Sequence, residues 1–342
     1  MRLFWKREAK SIAPMTALSD LRAAQWSGAG QLAREGFERN AVVYRCVRLI
    51  SEAAASVPFR QTPSKPGEPE GPLAKLIARP NVEQAGPDLM ENFYGHLAVS
   101  GDAFLEAVAI DGEVRELFVL RPDRMRALKG PRGYPVAWEH GVGGEARRIV
   151  GEADGFLAVL HLRLFHPADD YAGHAPLEAA ARAVDIHNAG GAWTKALIDN
   201  AARPSGALVY SGAEDLTDEQ TRELREDLER SYSGAGNAGR PMVLRGGLDW
   251  RPMSLTPADM DFVESRHQAA REIALAFGVP PMLLGLPGDN TYANYREANR
   301  ALWRLTILPL ADTILAAIAQ ALGAWWPGLR LAVDIDLISA LA

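Results

Sequence analysis

Apolar positions along this chain recur with two different periods, and the changes of period mark out its elements. From Asn40, the residues Val42, Cys46, Leu49, Ile50, Ala53 and Val57 fall on one helical face, and Pro58 ends the helix. A loop rich in Pro, Gly and charge covers Gln61 to Pro72. The helical period returns between Pro87 and Ser100, with Leu89, Phe93 and Leu97 inward and Gly101 as the stop. Strand character follows: Ala103 to Ile110, a turn at Asp111-Gly112, and Val114 to Leu120 returning. Asp-Gly between two apolar runs is a strong hairpin signal, because both turn positions need positive φ. A second pair of strands flanks Gly141 to Gly144, and Leu157 to Phe165 reads as a further strand. This half of the chain is α+β.

The second half is dominated by long helices. Residues 174 to 201 form one of them, carrying Leu177, Ala180, Val184, Leu197 and Ile198. Gly190 and Gly191 in its middle cost about 1 kcal/mol each against alanine, which implies close packing or a bend. Arg203-Pro204 ends that helix, and Gly206 to Tyr210 reads as a strand. Leu216 to Tyr232 is a charged helix capped by Thr217, with Gln220 completing a capping box. Pro241 to Leu244 and Leu248 to Met253 read as short strands, so a compact module at 202–255 sits between two long helices.

From Thr256 the pattern is helix, stiff loop, long helix. Thr256 caps, Pro257 takes the first position, Asp259 lies in the first turn, and Gly278 with Pro280 and Pro281 stops the helix. The second helix restarts at Asn290 or Thr291, and residues 291–322 would span about 48 Å if continuous. Ala298, Ala301, Leu305 and Leu308 are fit for burial, and Pro309 is expected to kink or split the rod. Residues 1–38, with weak periodicity and a Gly-rich patch at Gly28 to Gly30, read as an extended arm ordered by a partner.

Composition narrows the function classes. The chain has 342 residues, room for about two domains. Its net charge of −6 gives no overall basic field to grip nucleic acid by counterion release. Cys46 is the single cysteine, which excludes a disulfide framework and a cysteine zinc site and points to a reducing compartment. Its place in an apolar stripe makes it a small buried hydrophobe rather than a reactive thiol. The start, MRLFWKREAK, lacks the apolar run of a secretory signal. Leu305 to Leu322 is apolar, but Pro309 and Asp312 interrupt it and it falls short of the roughly 20 residues of a membrane span, so a buried core helix is expected.

No catalytic motif emerges. Gly234, Gly236 and Gly239 match a dinucleotide fingerprint by letter, yet they follow a helix and precede a strand, the reverse of what phosphate binding needs. His161, His166 and His174 with Asp169 and Asp170 lack any metal-ligand spacing. No metal, cofactor or catalytic residue is expected. Tyr292, Arg296, Arg300 and Arg304 recur every four residues along the last long helix. That stripe is a solvated or salt-bridged face, or else it meets acidic groups of a neighbouring copy or a phosphate backbone.

Five stretches carry a family resemblance: VYRCVRLISEAAASVPF (43–59), YGHLAVSGDAFLEAV (94–108), ELFVLRPDRM (116–125), YAGHAPLEAA (171–180) and AAREIALAFGVPPMLLGLPGDNTYANYREANRALWRLTILPL (269–310). They resemble the portal proteins of long-tailed phages, and most closely the portal of alphaproteobacterial gene transfer agents, from about residue 39 onward. The resemblance implies an α+β portal-type subunit that assembles as a ring of about twelve copies at one capsid vertex of a virion or gene-transfer-agent particle, built in the bacterial cytoplasm. It implies a wing at 39–175, stem helices at 176–201 and 257–277, and a clip at 202–256. It further implies a tunnel loop at 278–291, a long wing helix at 292–323, and the start of a truncated crown at 324–342.

The implied partners are other copies of the chain, double-stranded DNA, the terminase large subunit, a head–tail adaptor and the major capsid protein, with no membrane. In that scheme Leu286, Asp289, Asn290, Thr291 and Tyr292 face the DNA channel. Arg296, Arg300 and Arg304 form a subunit-interface or DNA-facing stripe. The competing reading is another structural virion adaptor or connector without DNA threading, and an enzyme built on the histidines is third.

Overall fold

In a computed structural model of the chain, residues 28–62, 71–131, 135–150, 158–199, 206–210, 217–232, 248–252, 257–286 and 292–341 are described. They fall into two units: 1–181 joined with 273–342, and 182–272 inserted between them.

The first unit begins with α1 (Ala29–Gln31), which continues as a π turn, Leu32–Phe37. Leu32 is buried and Gly36 packs on the Leu177 side chain, so residues 28–37 are not part of an extended arm. One leucine and one small residue suffice to dock these two turns or so, too short a signal for periodicity to show. Residues 1–27 of the expected arm lie outside the described residues.

Helix α2 (Ala41–Ala55) starts where the Asn40 Oδ1 accepts hydrogen bonds from the Val42 and Val43 amides at 3.0 and 3.1 Å. Its buried face is Val43, Cys46, Val47, Ile50 and Ala54, a stripe rotated from the expected one; Val42, Leu49 and Ala53 are half-buried. Burial pushes the Cys46 thiol up to about 12, far from the thiolate form. Strand β1 (Phe59–Thr62) leads to α3 (Pro72–Ala78), a helix that sequence periodicity missed. Its cap comes from a distance: the buried Gln61 side chain accepts from the Leu73 and Ala74 amides.

Helix α4 (Gly86–Ser100) packs along α2 and buries Leu89, Phe93 and Leu97 as expected, together with Met90, Tyr94 and Ala98. Gly101 ends it in the left-handed region at φ 76°. Strands β2 (Asp102–Ile110) and β3 (Glu113–Leu120) form the expected hairpin, with Asp111 and Gly112 both at positive φ. A 3-10 turn at Pro122–Arg124 precedes β4 (Met125–Lys129), β5 (Pro135–Val142), β6 (Glu145–Val150) and β7 (Val159–Arg163).

Two antiparallel sheets result, in the orders β3-β2-β7 and β4-β5-β6. Phe104, Leu120, Trp138, Ile149 and Val159 share one core drawn from both sheets, with Phe104 and Trp138 edge to face at 4.9 Å. Arg147 of β6 donates to both carboxylate oxygens of the buried Glu106 on β2 at 2.7 Å, tying one sheet to the other.

Helix α5 (Pro176–Asp199) enters the second unit. That unit contains the antiparallel pair β8 (Gly206–Tyr210) and β9 (Leu248–Pro252), with α6 (Asp218–Tyr232) between them in sequence. Thr217 and Gln220 form the expected reciprocal cap of α6. The Gly-rich run 234–239 and the strand expected at 241–244 lie outside the described residues. At Gly190 the nearest atoms to an added Cβ belong to Arg266 at 3.8 Å, and at Gly191 there are none within 4 Å. Contacts among the described residues require neither glycine.

Helix α7 (Pro257–Ala276) returns to the first unit. After a 3-10 turn at Pro281–Leu284 come α8 (Tyr292–Leu302), a π turn at Trp303–Ile307, and α9 (Leu308–Ala321). Helix α9 buries Ala311, Ile314, Leu315, Ile318 and Ala319 against β10 (Arg330–Val333), β7 and α2. By length and apolarity the continuous run Ala293–Ala321 could cross a membrane; within it Ala311, Ile314, Leu315, Ile318 and Ala319 are buried in the protein's own core. Strand β10 pairs antiparallel with β1, and two short 3-10 turns, Ile335–Leu337 and Ser339–Leu341, end the described chain.

Among the described glycines of the first unit, Gly173 leaves the least room for a Cβ, because the Gly101 backbone lies against it. A Cβ on Gly173 would lie 1.9 Å from the Gly101 carbonyl oxygen. Gly173→Ala is therefore expected to destabilise by about 3 kcal/mol or more in denaturant unfolding. Gly95→Ala in α4, where an added methyl meets nothing within 4 Å, should be neutral or stabilising by up to about 1 kcal/mol.

Candidate functional site

The end of α7 is fixed by local hydrogen bonding. The Val279 amide donates to the Ala274 carbonyl at 2.9 Å, and Gly278 takes φ 66°, a conformation that suits glycine. Pro280 and Pro281 then hold φ for a tight 3-10 turn, and Gly285 closes it at φ 72°. The first part of the expected loop 278–291 is thus a compact turn, packed against α8 and α2. Leu286 follows it directly, its amide bonded to the Pro281 carbonyl. Asp289, Asn290 and Thr291 lie outside the described residues, and Tyr292 is the first residue of α8.

The return helix carries the most informative departure from expectation. Pro309 neither breaks nor ends the rod; it is near the start of α9, and the widened turn Trp303–Ile307 comes just before it. The Leu308 amide donates to the Trp303 carbonyl, five residues back. In a regular α-helix the Pro309 ring would run into the Leu305 carbonyl, a conflict worth about 3 kcal/mol. Inserting one extra residue in the preceding turn relieves it. Thr306, inside that turn, donates its hydroxyl to the Gly278 carbonyl at 2.8 Å. The widened turn therefore grips the root of the loop across 28 positions of sequence.

The arginine stripe is divided by the same feature. Arg296 and Arg304 are exposed, whereas Arg300 is half-buried and bonded to Glu297 at 3.2 Å. Arg304 lies within the π turn, where the 3.6-residue repeat that aligns Arg296 with Arg300 no longer holds. The apolar side is also revised: Leu302 and Ile307 are the fully buried residues, Ala298, Ala301 and Leu308 are half-buried, and Leu305 is 77% exposed.

The histidines are occupied structurally. The Asp102 Oδ1 accepts the Gly173 amide at 2.9 Å and sits 2.7 Å from the His161 Nε2. The His161 side chain is 8% exposed, stacked on Phe104 at 4.4 Å and edge to face with Trp138 at 4.8 Å. His166 and His174 meet edge to face at 5.3 Å, and His174 Nδ1 lies 2.9 Å from Glu178. Asp169 accepts the Tyr171 and Ala172 amides, and these bonds hold its carboxyl below the usual range. Among the described residues no three His, Cys, Asp or Glu side chains are grouped to hold a metal ion. A cleft beside α1 is lined by Arg34, His96, Arg121 and Asp123. Arg121 and Asp123 are bonded to each other there, and burial keeps His96 below its ordinary pKa.

The chain is thus α+β, with an inserted helix-and-strand unit and a pinned loop between two long helices. Residues 41–340 match the phage portal protein family, and the chain belongs to that family. Its fold is similar to a subunit in the neck of an empty gene transfer agent (GTA) particle computed with C6 symmetry. Identity there is 47%, with 92% of this chain and 87% of that one covered and a TM-score of 0.73. It is likewise similar to a subunit in the neck of the native GTA particle computed with C12 symmetry. That match is 45% identical, covers 94% of this chain and 90% of the other, and has a TM-score of 0.71. A protein of Rickettsia bellii (strain RML369-C) is 38% identical over 316 residues, 90% of this chain and 80% of the relative.

Two glycines near the loop test the geometry separately. Gly285→Ala meets no atom of the described residues within 4 Å and bears the left-handed backbone cost, about 1 kcal/mol. Gly278→Ala bears the same cost and sets a Cβ 2.9 Å from the Thr306 Oγ1, so it should destabilise more, by about 2 kcal/mol in thermal or denaturant unfolding.

Proposed function

We propose that the chain is a portal subunit that assembles as a ring at the vertex of a gene-transfer-agent or phage-like particle, where the ring conducts double-stranded DNA. The observation that carries this reading is the near full-length similarity to GTA neck subunits, in particles described with C6 and C12 symmetry. In this reading the ring has about twelve copies, a number suggested by the C12 symmetry of the similar native neck, and a heterologous contact closes such a ring when the rotation per subunit divides the circle. Residues 39–175 are the wing, 176–201 and 257–277 the stem, 202–256 the clip, 278–291 the tunnel loop, 292–323 the long wing helix and 324–342 the first part of a crown.

The clip offers a mixed-sign helix, α6, to the terminase large subunit and then to a head–tail adaptor, while the wing faces the major capsid protein. Leu286, Asp289, Asn290, Thr291 and Tyr292 form the constriction. They carry no net positive charge, so they release no counterions from the duplex and let it slide. Arg296, Arg300 and Arg304 pair with acidic groups of the adjacent copy or with DNA phosphates. The role is structural, and the histidine network supports this, since His161 and Asp102 are committed to holding β2, β7 and Gly173 together.

Negative-stain imaging and mass measurement of the purified chain should show closed rings; a strict monomer at high concentration, with capsid partners present, would overturn the proposal. Deleting residues 286–290 should leave ring formation intact and impair DNA packaging or retention. Loss of rings on that deletion would make the loop a structural element instead.

A further inference from the structure

We propose that the π turn Trp303–Ile307 is a one-residue register hinge for α8, set by Pro309 and latched by Thr306 onto Gly278. Three observations converge on it. The run Ala293–Ala321 is continuous helix, and its one described π turn lies immediately before its proline. The Leu308 amide reaches back five residues to Trp303, so a single extra residue is stored there. The Thr306 hydroxyl, inside the widened turn, is bonded to Gly278 at the end of α7, and the left-handed Gly278 has no Cβ to hold it off.

A stored residue defines a second state of the same helix. Returning the turn to α geometry rotates everything N-terminal to it by about 100° and shifts it by about 1.5 Å along the axis. Each residue of α8 then takes the place of the one before it. Arg296 moves to the position of the exposed Tyr295, and Arg300 to that of Asn299. Trp303 takes the buried place of Leu302, which keeps that place apolar but asks it to hold a larger ring, a further cost of this second state. Pro309 disfavours this state through its ring, and the Thr306 bond disfavours it by holding the turn against the loop root. The device thus couples the stance of residues 278–286 to the face that α8 presents, and it does so whether or not the chain works in a ring.

The test uses the full-length chain with three substitutions. A structure of Pro309→Ala by crystallography or cryo-electron microscopy should show bonds to the fourth residue back throughout 303–309 and α8 turned by about 100°. Retention of the Leu308 to Trp303 bond in that variant overturns the proposal. In Thr306→Val, amide exchange at Gly278, Val279 and residues 303–308 should rise about five-fold, the loss of one hydrogen bond, while exchange in α2 and α4 stays unchanged. Thr306→Ser, which keeps the hydroxyl, should exchange as the parent does. Unchanged exchange in Thr306→Val, a serine variant as fast as the valine one, or an increase spread evenly over α2 and α4 each removes the latch.

Discussion

The first unit exists because its two halves are held together across a long excursion of chain. Residues 182–272 leave and return as a separate unit, so the segments before and after must find each other over a large loop. Pairing of β1 with β10 does this, matching Phe59–Thr62 with Arg330–Val333 in a four-residue register. The entropy of closing such a loop grows only slowly with its length, so the insertion is cheap once the seam is good. Gln61 makes the seam selective. Its backbone sits in the β1–β10 pair while its buried side chain caps α3, so a register slip would orphan two amides.

Much of this architecture was legible in the chain. The Asp111-Gly112 hairpin, the Thr217–Gln220 cap, the helix of Leu89, Phe93 and Leu97, and the Gly278 stop all depend on neighbours within a few residues. Local chemistry therefore suffices to read them. The misses share a cause of the opposite kind. Helix α3 is short and capped by a side chain about a dozen residues upstream, and residues 28–37 are ordered by contact with Leu177. The burial stripe of α2 is centred on Val43, Cys46, Val47 and Ile50 because several other elements, α4 foremost, pack around the helix, information held outside its own sequence. The insertion was visible from its flanking long helices, while the seam that makes it tolerable was not.

For the candidate site the division is finer. The loop's position between two helices follows from Gly278, Pro280 and Pro281, and the family resemblance supplied its meaning. The residues expected at the constriction, Asp289 to Thr291, lie outside the described residues, so the structure locates the root of that loop rather than its tip. The arginine repeat was readable as a periodicity but not as a surface, because periodicity assumes one helical pitch throughout. A change of pitch between Arg300 and Ile307 breaks that assumption, and the exposed Leu305 is its visible result.

Pro309 shows how the same residue supports different outcomes. A proline inside a helix removes one amide donor and presses its ring against a carbonyl four residues back. The chain can respond by ending the helix, bending it, or widening the preceding turn. Ending it here would expose the apolar face of α9 that closes over β10, β7 and α2, so burial of Ala311, Ile314, Leu315 and Ile318 works against that solution. Widening keeps both segments helical and leaves the extra residue where α8 meets the loop root. There the Thr306 hydroxyl reaches the Gly278 carbonyl, and a steric conflict confined to one turn becomes a tie between the helix and the end of α7. The core selects the response to the proline, and that response sets how the proposed channel loop is anchored.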